Sequence, residues 1–147
     1  MIPSQPRRQA QPATIRRYPA DAERWTRERC HIVELSNGPH DPALSIARAR
    51  VAPGVTTRWH RLVDITERYV IVEGRGTVEV GDAAPADVGP GDTVLIAPGL
   101  RQRITNAGTG DLVFLALCTP RFAWDRYEDV DEAVDEDVDD AAAPRDA

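Results

Sequence analysis

The sequence predicts an all-β domain, a sandwich or a barrel, and three observations carry that expectation. Strand-like runs recur with turn signals at intervals of about ten residues. Several of these runs alternate apolar and polar residues with period two. No stretch carries the 3.6-residue periodicity of a long helix, and there is no internal repeat.

Residues 1–13 are rich in Pro, Gln and Arg and read as a flexible arm, too poor in apolar side chains to bury a core. Residues 14–30 carry mixed charge and one short helical turn after Asp21. Strand-like runs then begin at 31–35 and 44–51. In the second, Arg48 and Arg50 lie on the face opposite Ala47, Ala49 and Val51. Pro53-Gly54 marks a turn. Runs at 56–62, 67–73 and 77–80 follow, the last two separated by Gly74 and Gly76 as in a hairpin. Residues 81–91 read as loop, punctuated by Pro85, Gly89, Pro90 and Gly91. The run 93–97 is apolar on both faces. Pro98-Gly99 turns the chain, and 102–106 and 111–118 complete a set of about eight or nine strands.

At 147 residues the chain has the length of one domain. Its net charge of −6 is unevenly placed. Residues 125–147 hold eleven acids and two arginines, so the remainder of the chain is mildly basic. The acidic run reads as a solvated, disordered tail. The overall charge and the 5% aromatic content argue against a nucleic-acid partner. No apolar run approaches the roughly 18 residues of a membrane span, and the N-terminus has no apolar signal region. Cys30 and Cys118 lie far apart with no CxxC spacing, which fits reduced thiols and a cytoplasmic location. Every basic side chain is arginine.

The chemistry-bearing residues cluster on three of the strand-like runs. His60 sits in the run 56–62, Glu67 opens the next with Tyr69 on its face, and Gln102 opens the run 102–106. In a small barrel every second side chain points inward, so a histidine, a carboxylate and an amide converge. Inward polar groups need partners, since leaving one bare costs roughly 1–3 kcal/mol. A metal or a polar ligand would supply them.

These spacings resemble the two motifs of the cupins. The first motif, G-x(5)-H-x-H-x(3,4)-E-x(6)-G, is matched by Gly54, His60, Leu62, Glu67 and Gly74, with Leu62 in place of the second histidine. The second, G-x(5)-P-x-G-x(2)-H-x(3)-N, is matched by Gly91, Ala97, Gly99, Gln102 and Asn106, with Ala97 for proline and Gln102 for histidine. The resemblance covers about residues 44–118. It implies a single cupin jelly-roll β-barrel over 31–122, with an N-terminal arm over 1–30 and an acidic tail over 123–147. It also implies a homodimer and a divalent transition metal (Fe, Mn, Ni or Zn) held by His60, Glu67 and Gln102. Losing one imidazole and exchanging another for an amide leaves a reduced donor set for such an ion.

Two readings follow from the residues and the resemblance. In the first, the chain is an enzyme acting on a small molecule, an isomerase, cyclase or dioxygenase, with His60 and Glu67 as ligands or acid–base groups. In the second, it is a non-catalytic module whose barrel holds a small polar or anionic metabolite. In either, Arg58, Tyr69 and Gln102 contact the ligand. Arg58 shares the parity of His60, which places it at the pocket mouth, where a guanidinium grips a carboxylate or phosphate. Each residue also has a plainer reading. His60 is a hydrogen-bonded core histidine, Glu67 pairs with Arg58, Arg61 or Arg68, Tyr69 packs the core, and Gln102 is a polar filler.

Overall fold

A computed structural model describes residues 13–131 of the chain. The expectations for residues 1–12 and for most of the acidic tail, 132–147, lie outside the described residues.

Among the described residues eleven strands form two sheets. In chain order they are β1 (Arg24–Trp25), β2 (His31–Ser36), β3 (Ser45–Val51), β4 (His60–Leu62), β5 (Thr66–Glu73), β6 (Gly76–Val80), β7 (Ala86–Val88), β8 (Thr93–Ile96), β9 (Gln102–Asn106), β10 (Leu112–Thr119) and β11 (Tyr127–Asp129). Six pair in the order β1-β2-β3-β10-β5-β8 and five in the order β11-β4-β9-β6-β7, all through antiparallel ladders. The long β10 binds the larger sheet together, with Phe114 facing Ala49 on one side and Ile71 on the other.

Period-two burial closes the two sheets on one core. Ala49, Val51, Ile71 and Leu112 of one sheet meet Val78 and Ile104 of the other. Val51, Ile104 and Leu112 are wholly buried, each contributing about 1.5–3 kcal/mol of transfer free energy. A second cluster of Leu62, Ile65, Cys118 and Tyr127 closes another part of the barrel.

Two motif positions are explained by the backbone alone. Asn106 is buried, and its amide nitrogen donates to the carbonyls of Val51 and Gly110, both at 2.8 Å. Its oxygen accepts from the Gly108 amide at 2.9 Å, so it ties the 107–111 turn to β3. Gly74 has φ +84°, and a Cβ there would stand 2.4 Å from the Asp111 carbonyl. Gly54 has a similar φ of +78° but open space around it. Gly74→Ala is therefore expected to destabilise by about 2–4 kcal/mol and Gly54→Ala by about 1 kcal/mol, read as midpoint shifts in denaturant. Equal shifts at the two positions would remove the steric argument.

The strands differ from the sequence reading in three places. β1, β7 and β11 are each two or three residues long, too short to carry a periodic signal. The run 56–62 pairs as a strand only from His60 onward, with Thr56 making an isolated bridge to Thr105. The run 93–97 is not covered on both faces, since Leu95 is 69% exposed. The short helical turn expected after Asp21 is a 3-10 turn at Ala20–Ala22.

The ends of the domain also extend beyond the 31–122 span. Residues 20–30, read as part of the arm, supply β1 and a stretch of barrel wall. Residues 123–131, read as tail, supply a 3-10 turn (Trp124–Arg126) and β11, which pairs with β4. Among the described residues no helix is long and apolar enough to cross a membrane.

Candidate functional site

A cavity of about 370 Å³ opens into the barrel between the larger sheet and β4. One wall is built by alternate residues of a single segment: Arg24, Thr26, Glu28, Cys30, Ile32 and Glu34. The segment turns between β1 and β2, where the Thr26 amide donates to the Cys30 carbonyl and Arg29 takes φ +67°. The opposite side presents His60, Glu67 and Tyr69, with Cys118 beside Glu67. Phe114, Phe122 and Trp124 add aromatic surface. The sequence reading found the strand at 31–35 but assigned 24–30 to the arm, because the tight turn at 26–30 interrupts the alternation.

His60 is 4% exposed and held from three directions. Its Nδ1 lies 2.8 Å from the Arg58 carbonyl, which only accepts, so Nδ1 carries the proton. Its ring stacks on Tyr127 at 5.1 Å and 22°. Its backbone pairs with Gln102 on one side and Asp129 on the other. Nε2 is thereby left with a lone pair, 3.9 Å from Glu28 Oε1. Burial lowers the His60 pKa, against the opposing pull of Glu67, so the imidazole is neutral at physiological pH.

The carboxyls shift the other way. Burial raises Glu67 to about 7, offset in part by His60 and reinforced by Glu28. Burial likewise raises Glu28 to about 7, against the pull of Arg27, and Glu34 to about 7. Glu67 Oε2 accepts from the Cys118 thiol at 3.6 Å, while Oε1 is buried with no hydrogen-bond partner. Glu34 Oε2 is likewise buried and unpartnered. Burial holds the Cys118 and Cys30 thiols far above their ordinary values, so both are neutral.

Of the residues singled out in the sequence, His60, Glu67 and Tyr69 converge on the cavity. Gln102 does not line it. Its amide oxygen accepts the Tyr69 hydroxyl proton, so it sits behind Tyr69 as support. Arg58 does not reach the mouth, and this corrects the parity argument. Residues 57–59 precede β4 and lack its pleat, so the alternation that held for His60 does not extend to Arg58. The Arg58 side chain is 2% exposed, and its Nε donates to Asp129 Oδ2 at 2.5 Å. It anchors β11, which carries the Tyr127 ring that stacks on His60. Asp129→Ala, by removing the carboxylate that pairs with this buried guanidinium and leaving it the weaker pull of Asp131, is expected to cost about 3 kcal/mol in denaturant unfolding. Unchanged stability would mean β11 is not held by this pair. Trp59, just before β4, has the guanidiniums of Arg101 and Arg103 over its ring at 4.5 and 4.4 Å.

The donor set was tested against the divalent metal that the resemblance implies. Among the described residues no group of three or more His, Cys, Asp or Glu is placed to hold a metal ion. Gln102's only ligating atom is engaged by Tyr69. Leu62, at the second histidine position, is buried in an apolar cluster with Ile65, Cys118 and Tyr127. His60, Glu67 and Gln102 do not fit a resident Fe, Mn, Ni or Zn.

Comparison with known proteins places the fold. The Cupin_2 family, described as "Cupin domain", matches residues 47–118. An uncharacterized protein of Methanocaldococcus jannaschii is 33% identical over 84 residues, which cover 57% of this chain and 66% of that protein, just under two thirds of its length. A cupin 2 conserved barrel domain protein from Salinispora arenicola superposes with a TM-score of 0.63 at 22% identity, over 74% of this chain and 90% of that one. Pac13, a nucleoside dehydratase from Streptomyces, superposes with a TM-score of 0.66 at 18% identity, over 80% of this chain and 92% of that one.

Proposed function

We propose, on the premise that this chain is a small cupin-type protein, that its barrel cavity moves a proton on a bound small molecule, in an isomerisation, a cyclisation or an elimination. One observation carries the reading: a buried imidazole, fixed with Nε2 bare, faces carboxyls whose pKa values lie near neutrality. Groups poised near the working pH are the efficient acids and bases. His60 Nε2 takes a proton from the substrate, Glu28, protonated below about pH 7, gives one to it, and the imidazolium then returns its proton to the Glu28 carboxylate 3.9 Å away, so both groups are restored and no net proton is consumed. Glu67, beside them, favours the imidazolium that forms in between. The barrel holds these groups in place along one cavity. The same fold supports dehydration in Pac13, an analogy of fold and no more.

The test is incubation of the purified chain with a mixture of small polar metabolites in D2O, followed by mass spectrometry. Deuterium incorporation or a rearranged product, insensitive to chelator, is the expected result. A metabolite that is retained and released unchanged would favour the binding module. Near-stoichiometric metal by elemental analysis, lost in His60→Ala, would overturn the metal-free reading.

A further inference from the structure

The cavity walls carry a charge pattern that the proton-transfer reading leaves unused. Three carboxyls, Glu28, Glu34 and Glu67, face one space. Among the described residues no arginine lies within ion-pair distance of any of them, and the only histidine contact is His60 with Glu28 at 3.9 Å. Glu28 acts electrostatically on both of the others, so the three share one field. Glu67, 7% exposed, and Glu34 each keep one buried carboxyl oxygen with no partner at hydrogen-bond distance, and the neighbouring Gln102 and Asn37 side chains only partly offset the burial of the two groups. A buried carboxylate oxygen without a donor is costly, and a ligand that brings donors or positive charge removes that cost.

The rest of the lining fits the same kind of ligand. Tyr69, Phe114, Phe122 and Trp124 present aromatic surface, whose electron-rich faces attract cations. The fold already uses this chemistry nearby, where the Arg27 guanidinium lies 4.9 Å over Trp124 and 4.8 Å over Tyr127. The lining offers little to an anion. Arg24 is exposed at the rim, Arg58 is spent on Asp129, and His60 turns a lone pair inward.

We propose that the cavity selects a small organic cation, a protonated amine or guanidinium on a compact apolar body, with its charged end among Glu28, Glu34 and Glu67. This names the ligand class for the site described above and rests on the reading that the cavity is the functional site. It replaces the anionic preference drawn from Arg58 in the sequence.

The experiment compares three probes that share one ring and differ in head group: benzylamine, benzyl alcohol and benzoate. Binding to the full chain is followed at pH 7.5 by calorimetry and by intrinsic tryptophan fluorescence. Benzylamine is expected to bind at least ten-fold more tightly than benzyl alcohol, with benzoate weakest. Glu34→Gln and Glu67→Gln are each expected to weaken benzylamine about ten-fold and leave benzyl alcohol unchanged. Benzoate or the alcohol binding as well as the amine would overturn the proposal. So would amine affinity that is indifferent to both substitutions, or no amine binding up to 10 mM. His60→Ala separates the two ideas, because it removes the proton acceptor and leaves the carboxyls. Amine binding retained in His60→Ala with deuterium exchange lost is the expected result, and amine binding with no deuterium exchange even in the wild type would sink proton transfer alone.

Discussion

Replacing His60 by alanine is expected to lower turnover of the exchange or rearrangement by about 10²- to 10⁴-fold, the ordinary worth of a positioned general base. The Nδ1 proton is committed to the Arg58 carbonyl and Tyr127 covers one ring face, so Nε2 is the one nitrogen left for substrate. Glu28 and Glu67 remain in the variant but face substrate without the imidazole between them. A merely structural histidine would give a different pattern, in which stability falls and activity falls with it. Adding free imidazole separates the two. The vacated space adjoins the cavity, so a small base entering it should restore a measurable part of the rate while leaving the unfolding midpoint unchanged. Wild-type turnover in His60→Ala would remove this residue from the mechanism.

The second large effect is on stability, and it depends on pH. In the unfolded chain Glu28 and Glu67 titrate near 4.5, and in the folded protein near 7. Below 4.5 both states hold the protons, and burial of the neutral acids costs nothing extra. Between 4.5 and 7 the folded state keeps protons that the unfolded state has released, so stability falls as pH rises. Above about 7 the penalty is complete, and a shift of this size corresponds to roughly 3 kcal/mol for an isolated group. Glu28→Gln and Glu67→Gln stay neutral throughout. Each is expected to be more stable than the wild type at pH 8, by roughly 1–3 kcal/mol, and nearly equal to it at pH 5. The double variant should gain less than the two singles together, because the Glu28 carboxylate contributes to raising Glu67. Denaturant melts at the two pH values are the measurement. A variant less stable than the wild type at pH 8 would show that these carboxyls are compensated in the folded protein. Such strain, retained in the native sequence, is what a site kept for function shows.

Much of the architecture could be read before any coordinate. Short alternating runs, punctuated by Pro-Gly and Gly signals, specified an all-β barrel, because period-two patterning and turn residues act locally. The motif spacing located His60 and Glu67 on neighbouring parts of the barrel, and Tyr69 followed from its shared face with Glu67. The turn glycines were legible for the same reason, since a positive φ is a local demand.

What only the tertiary structure decided lies where the local rule stops. Parity put Arg58 at the mouth, but alternation belongs to a paired strand, and residues 57–59 are not paired as one. Parity put Gln102 inward correctly, yet the Tyr69 hydroxyl claims its oxygen, a contact between residues 33 apart. Residues 24–30 read as part of the arm and the β11 strand as part of the acidic tail. They become part of the site because they complete sheets begun elsewhere, β1 on β2 and β11 on β4. Hydrophobic periodicity depends on neighbours in sequence and names the barrel. The identity of the cavity's second and third carboxyls, and the ring of Tyr127 that stacks on its histidine, depend on residues far along the chain.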